Sequence, residues 1–309
     1  MIKRTVEISG YKTYFHMAHG QLVVEREGSR VGQVPIEDIG LLVVDNPTAS
    51  YSHLCVVRLL ENGAAVILCG EDHLPAGLLT PIEGNSLQAE RLRIQIEAPL
   101  PTRKRLWQQI VQAKIRHQAD IAETTETKTR LMQLRDSVKS GDPRNVEAQA
   151  ARVHWAAWLG ADSGFRRERD GPPPNSLLNY GYMVLRAAVA RAVVGSGLHP
   201  SLGLQHHNRY NAYSLADDLL EPFRPLVDLA VRDLWRNGKR EIDKEAKQAL
   251  LTLLTHTCET DGQTGPLLVA LEFMSASLLK CLAGTEKNLK IPYLFPFGAA
   301  RLESPPTEE

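Results

Sequence analysis

Over about the first 80 residues the chain alternates apolar and polar positions with the period of two that strands require. "RTVEIS" (4–9), "KTYFHMA" (12–18), "GQLVVERE" (20–27) and "SRVGQVP" (29–35) are separated by glycine-containing turns and predict an antiparallel meander. "IGLLVVDN" (39–46) and "GAAVILCG" (63–70) are continuous apolar runs, the pattern of buried strands. Between them "TASYSHLCVVRLLENG" (48–63) has helical spacing, with Thr48 or Ser50 as N-cap and Gly63 past its end. Beyond "HLPAGLLTPIEGN" (73–85) the period becomes 3.6. It predicts helices at about 86–97, 101–121, 126–139, 145–159, 175–196, 214–236, 240–257 and 264–283.

This order predicts an α+β plan, a β-rich N-terminal domain followed by a larger helical one. The expected boundaries are 1–82 for the first domain, 83–100 for a linker, 101–296 for the helical domain and 297–309 for a disordered acidic tail. Two long connections, "GADSGFRRERDGPPPN" (160–175) and "GSGLHPSLGLQHHNRYNAY" (195–213), interrupt the helices. Loops of this length inside a compact domain usually serve function, and the first is expected to be mobile and basic.

Composition narrows the field. Hydrophobic residues make up 43% of the 309, enough for a sizeable core, and the formal net charge is zero. Neutrality argues against a generally basic nucleic-acid binder but leaves room for a local basic surface. Residues 101–170 carry 14 Lys and Arg against 9 Asp and Glu, including Arg103, Lys104, Arg105, Lys114 and Arg116. No run approaches the roughly 18 apolar residues of a membrane span, and the N-terminus lacks a signal-peptide core. A cytoplasmic protein without membrane contact is expected. Cys55, Cys69, Cys258 and Cys281 are not at CxxC spacing and read as reduced, buried hydrophobes.

The candidate chemistry lies in "LQHHNRYNAYSLADDLLEPFRP" (204–225). With Ser214 as N-cap, Asp217, Asp218 and Glu221 fall on one face of a helix start, where like charges repel. A bound cation would relieve that repulsion; a capped, solvated helix would explain the two aspartates without one. Mg²⁺ and Mn²⁺ take carboxylate oxygens and Mn²⁺ also takes imidazole, so His206 or His207 is a candidate partner. A second acid must come from elsewhere, and "NVEAQAARVHW" offers Glu147 in the first turn of an alanine-rich helix. GxSxG, Walker A and GxGxxG patterns are absent, so serine hydrolase and nucleotide-dependent chemistry have no support, and one His with two acids and no HExxH argues against a zinc protease.

Taken together and in order, "NVEAQAARVHW", "NSLLNYGYMVLR" and "LGLQHHNRYNAYSLADDLLEPFRPLVD" resemble the CRISPR-associated protein one family, the integrase subunit of spacer acquisition, in its type II branch. The resemblance implies a metal-dependent DNA integrase and endonuclease. In such an enzyme the 3′-OH ends of prespacer DNA attack repeat phosphodiesters by transesterification. It implies Mg²⁺ or Mn²⁺ held by Glu147, His206 and Glu221, with Asp218 as ligand or supporting acid. The family's fifteen-residue spacing selects His206, while His207 remains a rival and Gln205 departs from the pattern. Asn175 and Asn179 are expected to shape loop geometry. Arg152, Arg166, Arg167 and Arg224 are candidate DNA contacts from position alone. Implied partners are double-stranded DNA, a second copy of the chain, a small subunit completing a heterohexamer, and the RNA-guided effector nuclease. The competing readings are a metal-dependent nuclease outside CRISPR adaptation and a non-enzymatic nucleic-acid scaffold.

Overall fold

The computed structural model describes residues 3–9, 12–160 and 163–295; the expected tail at 297–309 lies outside them. β1 (Arg4–Ser9), β2 (Thr13–Ala18), β3 (Gln21–Arg26), β4 (Ser29–Pro35), β5 (Ile39–Asp45), β6 (Ser50–Tyr51), α1 (His53–Glu61), β7 (Ala65–Cys69) and β8 (Pro75–Leu79) build two four-stranded sheets. One sheet has the order β1–β5–β7–β8, the other β4–β3–β2–β6. The expected meander is therefore only partly right. β2, β3 and β4 pair antiparallel, but β1 leaves them to run parallel to β5. A strand apolar on both faces, as β5 is, belongs in the middle of a sheet, and β1 and β7 satisfy its two edges. α1 starts at Ser52, whose Oγ accepts the Cys55 amide at 3.3 Å, rather than at Thr48 or Ser50. Ser50 lies in β6, and Thr48 Oγ1 accepts the Lys12 amide. β8 forms where the pattern predicts only a connection, by pairing along β7.

Alternation along β5 divides two cores. Leu42 and Val44 pack with Ile8, Phe15, Leu22 and Leu59 between the sheets and α1. Leu41 and Val43, with Ala65 and Ile67 of β7, face the helices. The helical part comprises α2 (Gln88–Glu97), α3 (Leu100–Asp120), α4 (Thr125–Ser137), α5 (Val146–Ala157), α6 (Asn175–Gly195), α7 (Ser214–Leu220), α8 (Arg224–Arg236), α9 (Lys244–Thr252) and α10 (Leu267–Leu282). The β-rich half followed by helices is the α+β plan the pattern predicts.

Three of the expected helices differ from the pattern. The span 214–236 is not one helix: a 3₁₀ turn, Glu221–Phe223, separates α7 from α8. Pro222 and Pro225 lack the amide hydrogens a continuous helix needs. A hairpin of β9 (Thr257–Thr260) and β10 (Gln263–Pro266) shortens α9 and α10. Its turn is Asp261-Gly262, both at positive φ, a strong hairpin dipeptide that the helical pattern hides. α6 has the length and hydropathy of a membrane span, yet 83% of that window is buried inside the molecule, as in a core helix. A Cβ at its Gly181 would lie 2.5 Å from Val227 Cγ1, so α8 approaches closely only because that residue is glycine. The four cysteines are free; Cys55, Cys258 and Cys281 are buried and Cys69 is half-buried. Burial pushes the Cys55 thiol up to about 11 and those of Cys69 and Cys258 up to about 12, which makes them poor nucleophiles.

Candidate active site

Glu147 stands in the first turn of α5. Asp142 fixes that turn from outside, its Oδ1 accepting the Val146 amide at 2.8 Å and its Oδ2 the Glu147 amide at 2.9 Å. Glu221 opens the 3₁₀ turn between α7 and α8 and is buried. The two carboxylates come from distant segments and meet on one cation. Lys114 Nζ, on α3, donates to Glu147 Oε1 at 2.5 Å and to Glu221 Oε2 at 2.6 Å. Arg224 Nε donates to the other Glu221 oxygen at 2.8 Å, and its guanidinium lies 4.5 Å from the Tyr182 ring centre. Burial alone would raise the Glu221 pKa, but the charges of Arg224 and Lys114 outweigh it and hold the carboxyl down at about 2. Lys114 is the mirror case: burial opposes its charge, and Glu221 and Glu147 more than restore it.

The three acids of the 214–221 stretch do not share a cation. Asp217 pairs with Arg186 of α6 at 2.6 and 2.8 Å and accepts from Asn211 Nδ2 at 2.7 Å. Asp218, fully buried, turns to the preceding loop. Its Oδ2 accepts the amides of Leu204 and Gln205 at 2.6 and 2.9 Å, and its Oδ1 accepts His206 Nδ1–H at 2.5 Å. Glu221 alone faces Glu147. The repulsion inferred from their spacing is thus relieved by three separate sets of partners. Ser214 does not cap α7, which begins after Tyr213; its Oγ donates to the Asn211 carbonyl at 3.2 Å.

His206 is half-exposed and packs T-shaped against Trp107, 5.5 Å between ring centres. The hydrogen bond to Asp218 raises its pKa, against the pull of burial, and the nearby charges of Glu221 and Glu147 add to the rise. With Nδ1 committed to Asp218, Nε2 is the nitrogen left for a ligand. His207 takes a different direction and lines a cavity of about 470 Å³ with Arg103, Asn208 and Arg209. Gly203 makes the loop's tight return possible: a Cβ there would sit 2.3 Å from the His206 carbonyl oxygen and 3.0 Å from Asp218 Oδ2.

A model of the family described as CRISPR associated protein Cas1 matches residues 6–258. A CRISPR-associated endonuclease Cas1 from Neisseria meningitidis serogroup C (strain 8013) is 37% identical over 284 residues, covering 89% of this chain and 91% of the relative. This chain belongs to the Cas1 family. Among solved structures, a casposase bound to integration product superposes with a TM-score of 0.77 at 18% identity, over 98% of this chain and 96% of the other. A chain of a Cas6-RT-Cas1–Cas2 complex gives 0.74 at 17% identity, over 94% of this chain and 36% of that one. At those identities the likeness is one of fold.

In this Cas1 chain the candidate set fits a hard divalent cation by its chemistry. Two carboxylates already converge on a positive charge, and their field reaches the His206 imidazole, whose Nε2 is left for a ligand. Among the described residues, however, no three His, Cys, Asp or Glu side chains close around a single point. Lys114 occupies the meeting place instead. It is the residue that reading the sequence as a basic helix face misses. The signal was available: Lys114 falls at i+4 from Ile110 and i+3 from Val111, on the buried stripe of α3.

The candidate DNA contacts divide in two. Arg152 and Arg166 are exposed. Arg167 is engaged internally, donating to Asn175 Oδ1 at 2.9 Å and Asn179 Oδ1 at 2.7 Å, and Arg224 is held by Glu221 and Tyr182. Asn175 Nδ2 also reaches the Arg166 carbonyl at 3.1 Å, and Asn179 Nδ2 the Arg169 carbonyl at 2.6 Å. The two asparagines thus tie the described part of the 160–175 loop to α6.

Proposed function

We propose that this Cas1 family member is a metal-dependent DNA integrase and endonuclease. It joins the 3′-OH ends of prespacer DNA to phosphodiesters of a CRISPR repeat by transesterification. The observation that carries this reading is the convergence of Glu147 and Glu221, from α5 and the 3₁₀ turn, on one cationic position beside His206. A likeness in fold to a casposase bound to integration product, and relatives named endonucleases, support it. Glu147, His206 through Nε2, and Glu221 would hold Mg²⁺ or Mn²⁺, with Asp218 fixing the imidazole from behind. Such an ion supplies Lewis-acid polarisation of a phosphodiester and charge stabilisation at the attacking or leaving oxygen.

The chain's own part is positional. Asp218 sets the His206 ring and its tautomer, Asp142 fixes the entry to α5, and Arg224 keeps Glu221 ionised. Arg152 and Arg166 are the exposed candidates for phosphate contacts. We further propose a homodimer, two copies of which flank a dimer of a small partner subunit, in keeping with the Cas1–Cas2 complex among the similar folds. The wording of 204–225 places the chain with the type II branch, where an RNA-guided effector nuclease would take part in prespacer choice in the cytoplasm.

The test is a joining assay with a 3′-OH duplex and a supercoiled repeat plasmid, the small subunit present. Branched products requiring Mg²⁺ or Mn²⁺ support integration. Nicking alone would instead mark a nuclease outside adaptation. Glu147→Ala, His206→Ala and Glu221→Ala should each lower joining by ~10²–10³-fold or more while the far-UV spectrum is kept; full activity in any of them would remove that residue from the site. Binding without any joining or cleavage would favour the scaffold reading.

A further inference from the structure

Both oxygens of Glu221 are already taken, one by Arg224 and one by Lys114. Mg²⁺ takes carboxylate oxygens at about 2.1 Å. Lys114 Nζ stands 2.5 Å from Glu147 Oε1 and 2.6 Å from Glu221 Oε2, so an ion joining those two oxygens would fall on the ammonium, and Lys114 must give way. Arg224 is packed against the Tyr182 ring and its guanidinium has a fixed shape. Lys114 reaches the pair by a flexible four-carbon stem, and its ammonium lies where a bridging ion would lie.

We propose that Lys114 is the resident counter-ion of the active site: it holds Glu147 and Glu221 together when no divalent ion is bound, and it must withdraw for that ion to bridge them. This rests on the reading of Glu147 and Glu221 as metal ligands. The charge balance gives the device a consequence. Two carboxylates face two cationic side chains, so the pair is neutral before any ion arrives. A divalent ion alone adds net positive charge in a buried setting; a DNA phosphate arriving with it restores the balance and offers the displaced ammonium a new partner. Metal and DNA then favour one another, and the protein alone takes the ion weakly, because the competent state is the minor one.

Mn²⁺ binding to the full-length protein, followed by loss of the free-ion EPR signal, tests this. Lys114→Met removes the competing charge at similar volume. Without DNA it should tighten Mn²⁺ by at least ~10-fold, the factor expected if Lys114 keeps the site closed nine-tenths of the time. Adding Glu221→Gln to that variant should abolish the gain. Unchanged or weaker Mn²⁺ binding in Lys114→Met, with Glu221→Gln still weakening the wild type, overturns the counter-ion role and leaves the ligand assignment standing. Mn²⁺ binding that ignores Glu221→Gln in both backgrounds overturns both. Should Lys114→Met not fold, reductive methylation of the wild-type protein gives an independent answer. Mn²⁺ plus duplex DNA should change the labelling rate of Lys114 several-fold relative to the metal-free protein. An unchanged rate counts against withdrawal.

Discussion

Asp218 and His206 show how one buried carboxylate does two jobs. It gathers the loop amides of Leu204 and Gln205, and it orients the imidazole. In the metal-free protein the His206 ring should titrate above 6.5, and Asp218→Asn should bring it back toward that value; an imidazole NMR titration reads both. Because the folded-state pKa is raised, the pair's stabilisation is fully present below 6.5 and fades as pH rises through the folded value. Half exposure of the ring keeps that contribution small. Glu221 runs the other way. Its depressed pKa means that its stabilisation is present above 4.5 and is lost as pH falls toward 2. Glu221→Gln leaves buried Lys114 and half-buried Arg224 short of a partner and should cost about 3 kcal/mol at pH 7, read by urea unfolding. The loss should shrink steadily below pH 4.5. At this scale the sequence marked Glu147, His206 and Glu221 as candidates only together, because each alone reads as a cap, a loop histidine or a surface acid. Spacing could not show where each acid turns, since that depends on Arg186 and Lys114, both hidden in helical patterns, and on how the 203–206 loop folds back.

The elements position the site through contacts that only certain residues permit. Gly203 is one: an added methyl would collide with the His206 carbonyl oxygen, so Gly203→Ala should cost ~1–3 kcal/mol and displace His206. A fall in melting temperature together with an altered His206 titration would bear this out; a wild-type titration would show that the loop absorbs the methyl. α2, in the stretch expected as a linker, is the second support. Gln95 Nε2 donates to the His199 and Leu202 carbonyl oxygens at 3.0 and 3.1 Å, and its Oε1 accepts the His199 amide at 2.8 Å. Gln95→Ala should therefore speed hydrogen exchange in 199–206 by about fivefold, for the loss of ~1 kcal/mol of local support. Helix positions were largely legible because a 3.6 period persists over long spans. The pairing of β1 was not, because periodicity tells which face of a strand is apolar but not which neighbour it joins.

In the whole molecule, one strand serves two cores. Leu41 and Val43 belong to the helical core while Leu42 and Val44 belong to the core between the sheets. Asp45, at the end of the same strand, is ion-paired with the buried Lys247 of α9 and accepts from His73 at 2.8 Å. The β-rich and helical parts are therefore coupled, and thermal unfolding should be one transition at all wavelengths. Asp45→Asn strands the charge of Lys247 and should lower stability by about 3 kcal/mol. Two separate transitions in the wild type would contradict the coupling. The α+β order was readable from the switch of period near residue 86, whereas this seam was not, because its members lie some two hundred residues apart.

His117 is buried between two backbones. Its Nδ1–H donates to the Pro222 carbonyl at 2.7 Å, inside the turn that carries Glu221, and its Nε2 accepts the Leu294 amide at 3.3 Å. Burial lowers its pKa to about 4, so the neutral ring can do both near pH 7. For protein engineering this sets a practical boundary. Tags, fusions or truncations placed after Phe295 leave the ring's second partner in place, while a cut before Leu289 takes away Leu294, the partner that steadies His117 beneath the Glu221 turn some seventy residues upstream.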